Sequence, residues 1–256
     1  MLNFWHMKKR PHVGTNLGGL HATDEIPWAR EYGDDEHWGR FAGRFVGYDP
    51  CLISPVQKGS SDKPTVLLMA DSIFGGKVWK RISRLIGPLA NLSYIQHPHH
   101  AGNIDKWLNV WGIEEWVHYK ILFNFEGMHG FPPRQTIDSH KKDIQALMKK
   151  YKTIFPIVIW GNMTPVPRGF VAGNINTDKG PNSIEQDVRD DVVEAMNKNI
   201  AEVAGVENIP VVNLYELIKN NPGYQPVDDL HMTPRGCLAI ADTVANSIKN
   251  ACEFHC

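Results

Sequence analysis

No run of about 18 consecutive apolar residues occurs in the 256-residue chain, so no membrane span is expected. Cysteine is scarce. Cys51, Cys237, Cys252 and Cys256 show no C-x-x-C spacing and read as free thiols rather than a disulfide framework. Neither sign of charge dominates. A net charge of -1 argues against a broad electropositive surface, and so against nucleic acid as the main partner. The chain has no G-x-S-x-G elbow, no P-loop, no G-x-G-x-x-G and no H-E-x-x-H, so nucleotide binding and zinc-protease chemistry are not expected. No metal or cofactor is implied. His97, His99 and His100 are too few for a ligand shell and read as lining a cleft. Cys252-Glu-Phe-His-Cys256 reads as a frayed, exposed tail. The first ten residues carry Lys8-Lys-Arg10 with no apolar stretch after them, which is not a signal-peptide pattern; the expected location is the cytoplasm.

What is present is ordinary for a globular chain: 42% apolar and 21% charged residues. This length buries a core without disulfides or metal. Residues 1–60 show little periodicity and many aromatics, and read as an N-terminal extension packed on a main domain over 61–256. Thr65–Ala70, Leu92–Ile95, Lys120–Phe125, Ile154–Trp160 and Ile209–Asn213 read as strands. Between and after them, 76–87, 103–111, 136–151, 184–204 and 234–251 read as helices. Trp107 and Trp111 share one face of the second helix and read as core. Such alternation predicts a three-layer α/β/α sandwich with a mainly parallel sheet of about five strands. Ligands of such folds sit beyond the carboxyl ends of the strands, which singles out 71–75, 97–103, 125–135, 161–183 and 224–233.

Two of those loops hold reactive residues. Met69-Ala-Asp-Ser-Ile-Phe-Gly-Gly76 puts Ser72 after the first strand, at the start of a helix, where backbone N–H groups favour negative charge. Pro226-Val-Asp-Asp-Leu-His-Met-Thr-Pro-Arg-Gly236 puts His231 before the last helix. A serine nucleophile needs such a base, and the base needs an orienting carboxylate. Asp228, three residues before His231, is spaced to reach Nδ1 in a turn; Asp229 is the alternative.

Together these blocks resemble the SGNH (GDSL-like) hydrolases over about residues 65 to 250. Ala70-Asp71-Ser72 stands for the first block, Gly102 for the second, and Asp228-Asp-Leu-His231 matches the last. In the third block, Gly127-Met-His-Gly130 carries His129 where the family has asparagine. Thr164-Pro-Val-Pro167 is similar to a loop after the fourth strand of some relatives. The resemblance implies a flavodoxin-like fold and a triad of Ser72, Asp228 and His231. It also implies an oxyanion hole from the Ser72 and Gly102 backbone N–H groups and the His129 side chain. Asn124 is a second candidate donor within its strand. Asp71, Asn103, Asn124 and Thr164 are expected to face the substrate.

The implied activity is serine-dependent hydrolysis of a carboxylic ester through an acyl-enzyme, removing small acyl groups such as acetyl from a carbohydrate. The expected partner is therefore a small-molecule or carbohydrate ester. A lipase, thioesterase or acyltransferase on the same triad is the first alternative. A binding protein on a hydrolase scaffold is the second.

Overall fold

Thr65-Val-Leu-Leu-Met-Ala70 is a strand along its whole length, and Val66 to Ala70 are wholly buried. A strand without a solvent face belongs at the centre of a parallel sheet covered on both sides. Each buried Leu or Met there contributes about 1.5–3 kcal/mol. The computed structural model describes residues 51–54, 63–75, 77–97, 100–111, 119–133, 135–170, 188–227 and 229–255. In chain order the elements are β1 (Cys51–Ser54), β2 (Thr65–Ala70), α1 (Lys77–Ile86), β3 (Asn91–Gln96), α2 (Ala101–Trp111) and β4 (Ile121–Phe125). Then come α3 (Ile137–Ile154), β5 (Ile157–Gly161), α4 (Asp190–Glu207), β6 (Val211–Val212), α5 (Leu214–Lys219) and α6 (Pro234–His255).

The sheet order is β1-β3-β2-β4-β5-β6. Strands β2 to β6 are the five parallel strands expected, with Leu67 opposite Ser93 on one side and Leu122 on the other. A sixth strand, β1, comes from the N-terminal extension and pairs antiparallel with β3, Cys51 opposite Gln96. The rest of that extension lies outside the described residues. Helix α1 packs on α6, while α3 packs between α2 and α4. The crossovers run in opposite directions from β2, and their common right hand puts these two groups on opposite faces.

The helices are amphipathic in the expected way. Val78, Ile82 and Ile86 of α1 are buried at intervals of four, as are Ile240, Val244 and Ile248 of α6. The stripe of α3 runs His140, Ile144, Leu147, Met148, Tyr151. Among the described residues no helix is long and apolar enough to cross a membrane.

Several boundaries differ from the sequence reading, among them those of α4, which runs Asp190–Glu207 rather than 184–204. Ile154 ends α3 rather than opening β5, because Phe155 precedes Pro156 and is held extended (φ -112, ψ 127), which separates the two elements. Asn213 does not close β6. It caps α5, its side chain accepting from Glu216 N–H, a capping pattern at the start of a helix that the sequence reading omits. The C-terminus is not a frayed tail: α6 continues to His255 and Cys252 is buried. Cys237 and Cys252 are free thiols. Cys256 lies outside the described residues.

Candidate active site

Strand β2 lies between β3 and β4, so the connections after β2 leave in opposite directions. The crevice beyond the carboxyl ends at this reversal is where open α/β sheets bind ligands. Asp71 and Ser72 stand at that point. Ser72 opens a short 3₁₀ turn, Ser72–Phe74, whose N-cap is Asp71. Phe74 anchors the turn in the core, its ring 5.7 Å from Phe123 and 4.9 Å from Phe125 of β4. Ser72 is thus a half-buried residue on a turn pinned from below.

Its hydroxyl meets a residue 159 positions away. Ser72 Oγ and His231 Nε2 are 3.1 Å apart, within hydrogen-bond reach. On the far side of the ring, His231 Nδ1 is 3.0 Å from Asp229 Oδ1, which also accepts the His231 backbone N–H at 2.9 Å. Asp228 lies outside the described residues. The side chains of His231 and Asp229 are 49% and 55% exposed. A pair this open adds little stability; what it provides is orientation of the imidazole.

The histidine loop is fastened at several points. Thr233 Oγ1 donates to Gly223 O and Tyr224 O at 2.9 and 3.2 Å. Gln225 Nε2 donates to both Leu230 O and Pro165 O at 3.1 Å, and Gly169 N–H to Val227 O at 2.8 Å. The last two tie this loop to the one following β5.

Beneath Ser72, Asp71 is 1% exposed. Its carboxylate accepts from Ile73 N–H at 2.8 Å and Met128 N–H at 3.0 Å. Burial pushes this carboxyl up to about 6 against those two donors. His129 Nε2 stands 3.7 Å from Asp71 Oδ2 with its side chain 19% exposed. The link needs Gly127, whose φ is +81 and whose missing Cβ would lie 2.3 Å from Asp71 Oδ2.

Several residues therefore sit elsewhere than the sequence reading puts them. Asp71 is buried rather than open to a ligand, with both carboxylate oxygens engaged by backbone N–H groups behind the serine. Asn124 is wholly buried in β4 and accepts from Tyr151 O–H at 3.2 Å. Thr164 is wholly buried in the loop after β5, and His97 is 1% exposed rather than lining a cleft. Gly102 and Asn103 lie in the half-buried first turn of α2. His99 and the side chains of Trp107 and Trp111 lie outside the described residues. Among the described residues no group of three or more His, Cys, Asp and Glu could hold a metal ion.

One pair is absent from the sequence reading. Glu126 follows β4, and its Oε2 is 3.2 Å from Nε2 of His140; both side chains are buried. A signal exists for each. Glu126 is an acid directly after an apolar strand, at the ligand end of the sheet. His140 lies four residues before Ile144, on the buried stripe of α3.

No family model and no curated protein matches the chain. Solved structures do. A lipase/acylhydrolase from Enterococcus faecalis is similar at 17% identity and TM-score 0.57, over 73% of this chain and 96% of that one. An acetylxylan esterase from Geobacillus stearothermophilus is similar at 12% identity and TM-score 0.52, over 72% of this chain and 94% of that one. A candidate SGNH hydrolase from Slackia heliotrinireducens is similar at 11% identity and TM-score 0.53, over 73% of this chain and all of the other. The chain has the fold of the SGNH hydrolases.

Proposed function

We propose that the protein is a serine-dependent carboxylic ester hydrolase. The observation that carries this reading is the 3.1 Å approach of Ser72 Oγ to His231 Nε2 at the switch point of the sheet. Ser72 Oγ attacks the ester carbonyl carbon and passes its proton to His231 Nε2. The carbonyl oxygen becomes an oxyanion, received by the Ser72 and Gly102 N–H groups and the His129 imidazole. Each such donor is worth about 3 kcal/mol in the transition state. Collapse of the tetrahedral species expels the alcohol, which takes the proton from Nε2 and leaves an acyl-serine. Water then gives a proton to Nε2, attacks the acyl carbon, and its product collapses to free acid with the proton returned to Ser72.

The carboxylate on Nδ1 comes from the Asp228-Asp229 pair. The observed contact favours Asp229 and the Asp-x-x-His spacing favours Asp228. Single alanine variants separate them. Kinetics should show the orienting residue losing about 10⁴-fold in kcat, as loss of the correct tautomer does elsewhere. The other variant should stay within about tenfold of wild type.

The substrate we propose is a carbohydrate ester of a short acyl group, acetyl first. The named activity of the Geobacillus structural neighbour supports this, as does a base half open to solvent, which leaves room for a hydrophilic alcohol. Hydrolysis of p-nitrophenyl acetate, butyrate and octanoate tests it, with acetate release from acetylated xylo-oligosaccharides alongside. The expected kcat/KM for acetate exceeds that for octanoate by about tenfold or more. A preference for octanoate would replace the carbohydrate with a lipid.

A further inference from the structure

A buried polar cluster lies behind the first turn of α2, and the reaction steps above make no use of it. Glu126 Oε1 accepts from the backbone N–H of Ala101, the first residue of α2, at 3.0 Å. Glu126 Oε2 faces His140 Nε2 at 3.2 Å. Glu126 is 1% exposed and His140 is not exposed at all. Burial pushes the Glu126 carboxyl up, but His140, the Ala101 N–H and His100 outweigh it and hold it below the usual carboxylate range. The carboxylate therefore sits ionised at the amino end of a helix, where it meets the positive end of the dipole.

The next residue is Gly102, and it is held from its other side. A Cβ there would lie 2.6 Å from Oδ2 of Asp143 on α3, an oxygen that accepts from Gln135 Nε2 at 2.7 Å. The start of α2 is thus pressed on α3 and pulled toward the end of β4. A buried pair of this kind is a weak source of stability, since desolvation offsets most of its attraction. What it fixes well is geometry.

We propose that Glu126 and His140 are positioning residues for the oxyanion hole. They hold the first turn of α2 so that the Gly102 N–H points at the developing oxyanion. This rests on the reading of Ser72 as nucleophile and Gly102 as donor. Neither residue touches substrate; both act through the Ala101 N–H and the packing of α3.

The test compares Glu126→Leu, Glu126→Asp and Glu126→Gln with wild type and Ser72→Ala. Three quantities are read: kcat and KM for p-nitrophenyl acetate, inhibition by phenylboronic acid, and the melting temperature. The boronate forms a tetrahedral adduct on the serine and so reports the oxyanion hole rather than ground-state binding. Glu126→Leu is expected to lose about 10²-fold in kcat, with KM within threefold and boronate affinity falling in step. Glu126→Gln keeps an oxygen for Ala101 N–H and should recover most of the activity. Should Glu126→Leu not fold, Glu126→Asp serves. It draws the carboxylate back by one methylene and should lose about tenfold in both kcat and boronate affinity. A folded Glu126→Leu or Glu126→Asp with wild-type kcat and boronate affinity would overturn the proposal, whatever its melting temperature. Full activity in Ser72→Ala would instead overturn the underlying hydrolase reading.

Discussion

Ser72→Ala is expected to lower kcat for p-nitrophenyl acetate by about 10⁴ to 10⁶, with the fold intact. The variant removes the nucleophile and leaves only the oxyanion donors and substrate binding, which retain a residual catalysis of roughly 10³–10⁴ over water. Stability should hardly change. The hydroxyl contacts a half-exposed histidine, while the turn itself is anchored by Ile73 and Phe74, which the variant leaves untouched. His231→Ala should fall by a similar factor. The double variant should fall no further than either single one, because residues that act as a unit are not additive. Steady-state kinetics on the four proteins, with a circular dichroism spectrum of each, decides the matter. Equal turnover in wild type and Ser72→Ala would remove the nucleophile and, with it, the ester hydrolase reading.

The second large effect is on stability. Gly127→Ala should lower the melting temperature by about 10 °C or more. An alanine at φ +81 is strained by about 1–2 kcal/mol. Its Cβ would also lie 2.3 Å from Oδ2 and 2.5 Å from Cγ of Asp71, so the carboxylate must move. Moving it breaks hydrogen bonds from Ile73 and Met128, and each buried N–H left unpaired costs about 1–3 kcal/mol. The sum, about 3–8 kcal/mol, is a large share of the 5–15 kcal/mol typical of a folded domain. In an Asp71→Gly background the clash is gone, and the same substitution should cost only the backbone strain. A thermal melt within about 2 °C of wild type for Gly127→Ala would mean that the loop after β4 adapts freely and Asp71 is no rigid support.

The parts of the molecule legible in the sequence are those whose signal is local. The unbroken apolar run Val66–Ala70 announces a central strand because burial on both faces favours apolar side chains at every position. Ser72 and His231 are legible because each follows or precedes an element whose position in the layer order is itself readable. What was not legible depends on the other end of a contact. Asp71 looks like a substrate ligand until Met128 and Ile73 are seen to occupy both its oxygens. Glu126 and His140 are 14 residues apart, in a loop and on a helix, and only the packing of α3 brings them together. Asn213 carries a capping signal, but the apolar run before it draws the residue into a strand. At His231 the spacing points to Asp228 while the described contact is with Asp229, because spacing alone does not decide which side of a turn a side chain takes.

The two outer strands have a consequence for the molecule's behaviour in company. An open parallel sheet has two rows of unpaired backbone groups, and either can recruit a strand from another chain. On one side β6 is only Val211–Val212, too short to template a partner. On the other, β1 lies across β3, and its pairing register shifts between Leu52 and Ser54, which interrupts its own ladder. Without β1 the backbone N–H and C=O groups on that side of β3 would stand unpaired. Strand β1 therefore acts as a hem on the sheet, and removing Cys51–Ser54 would leave the β3 border open to a strand from another chain.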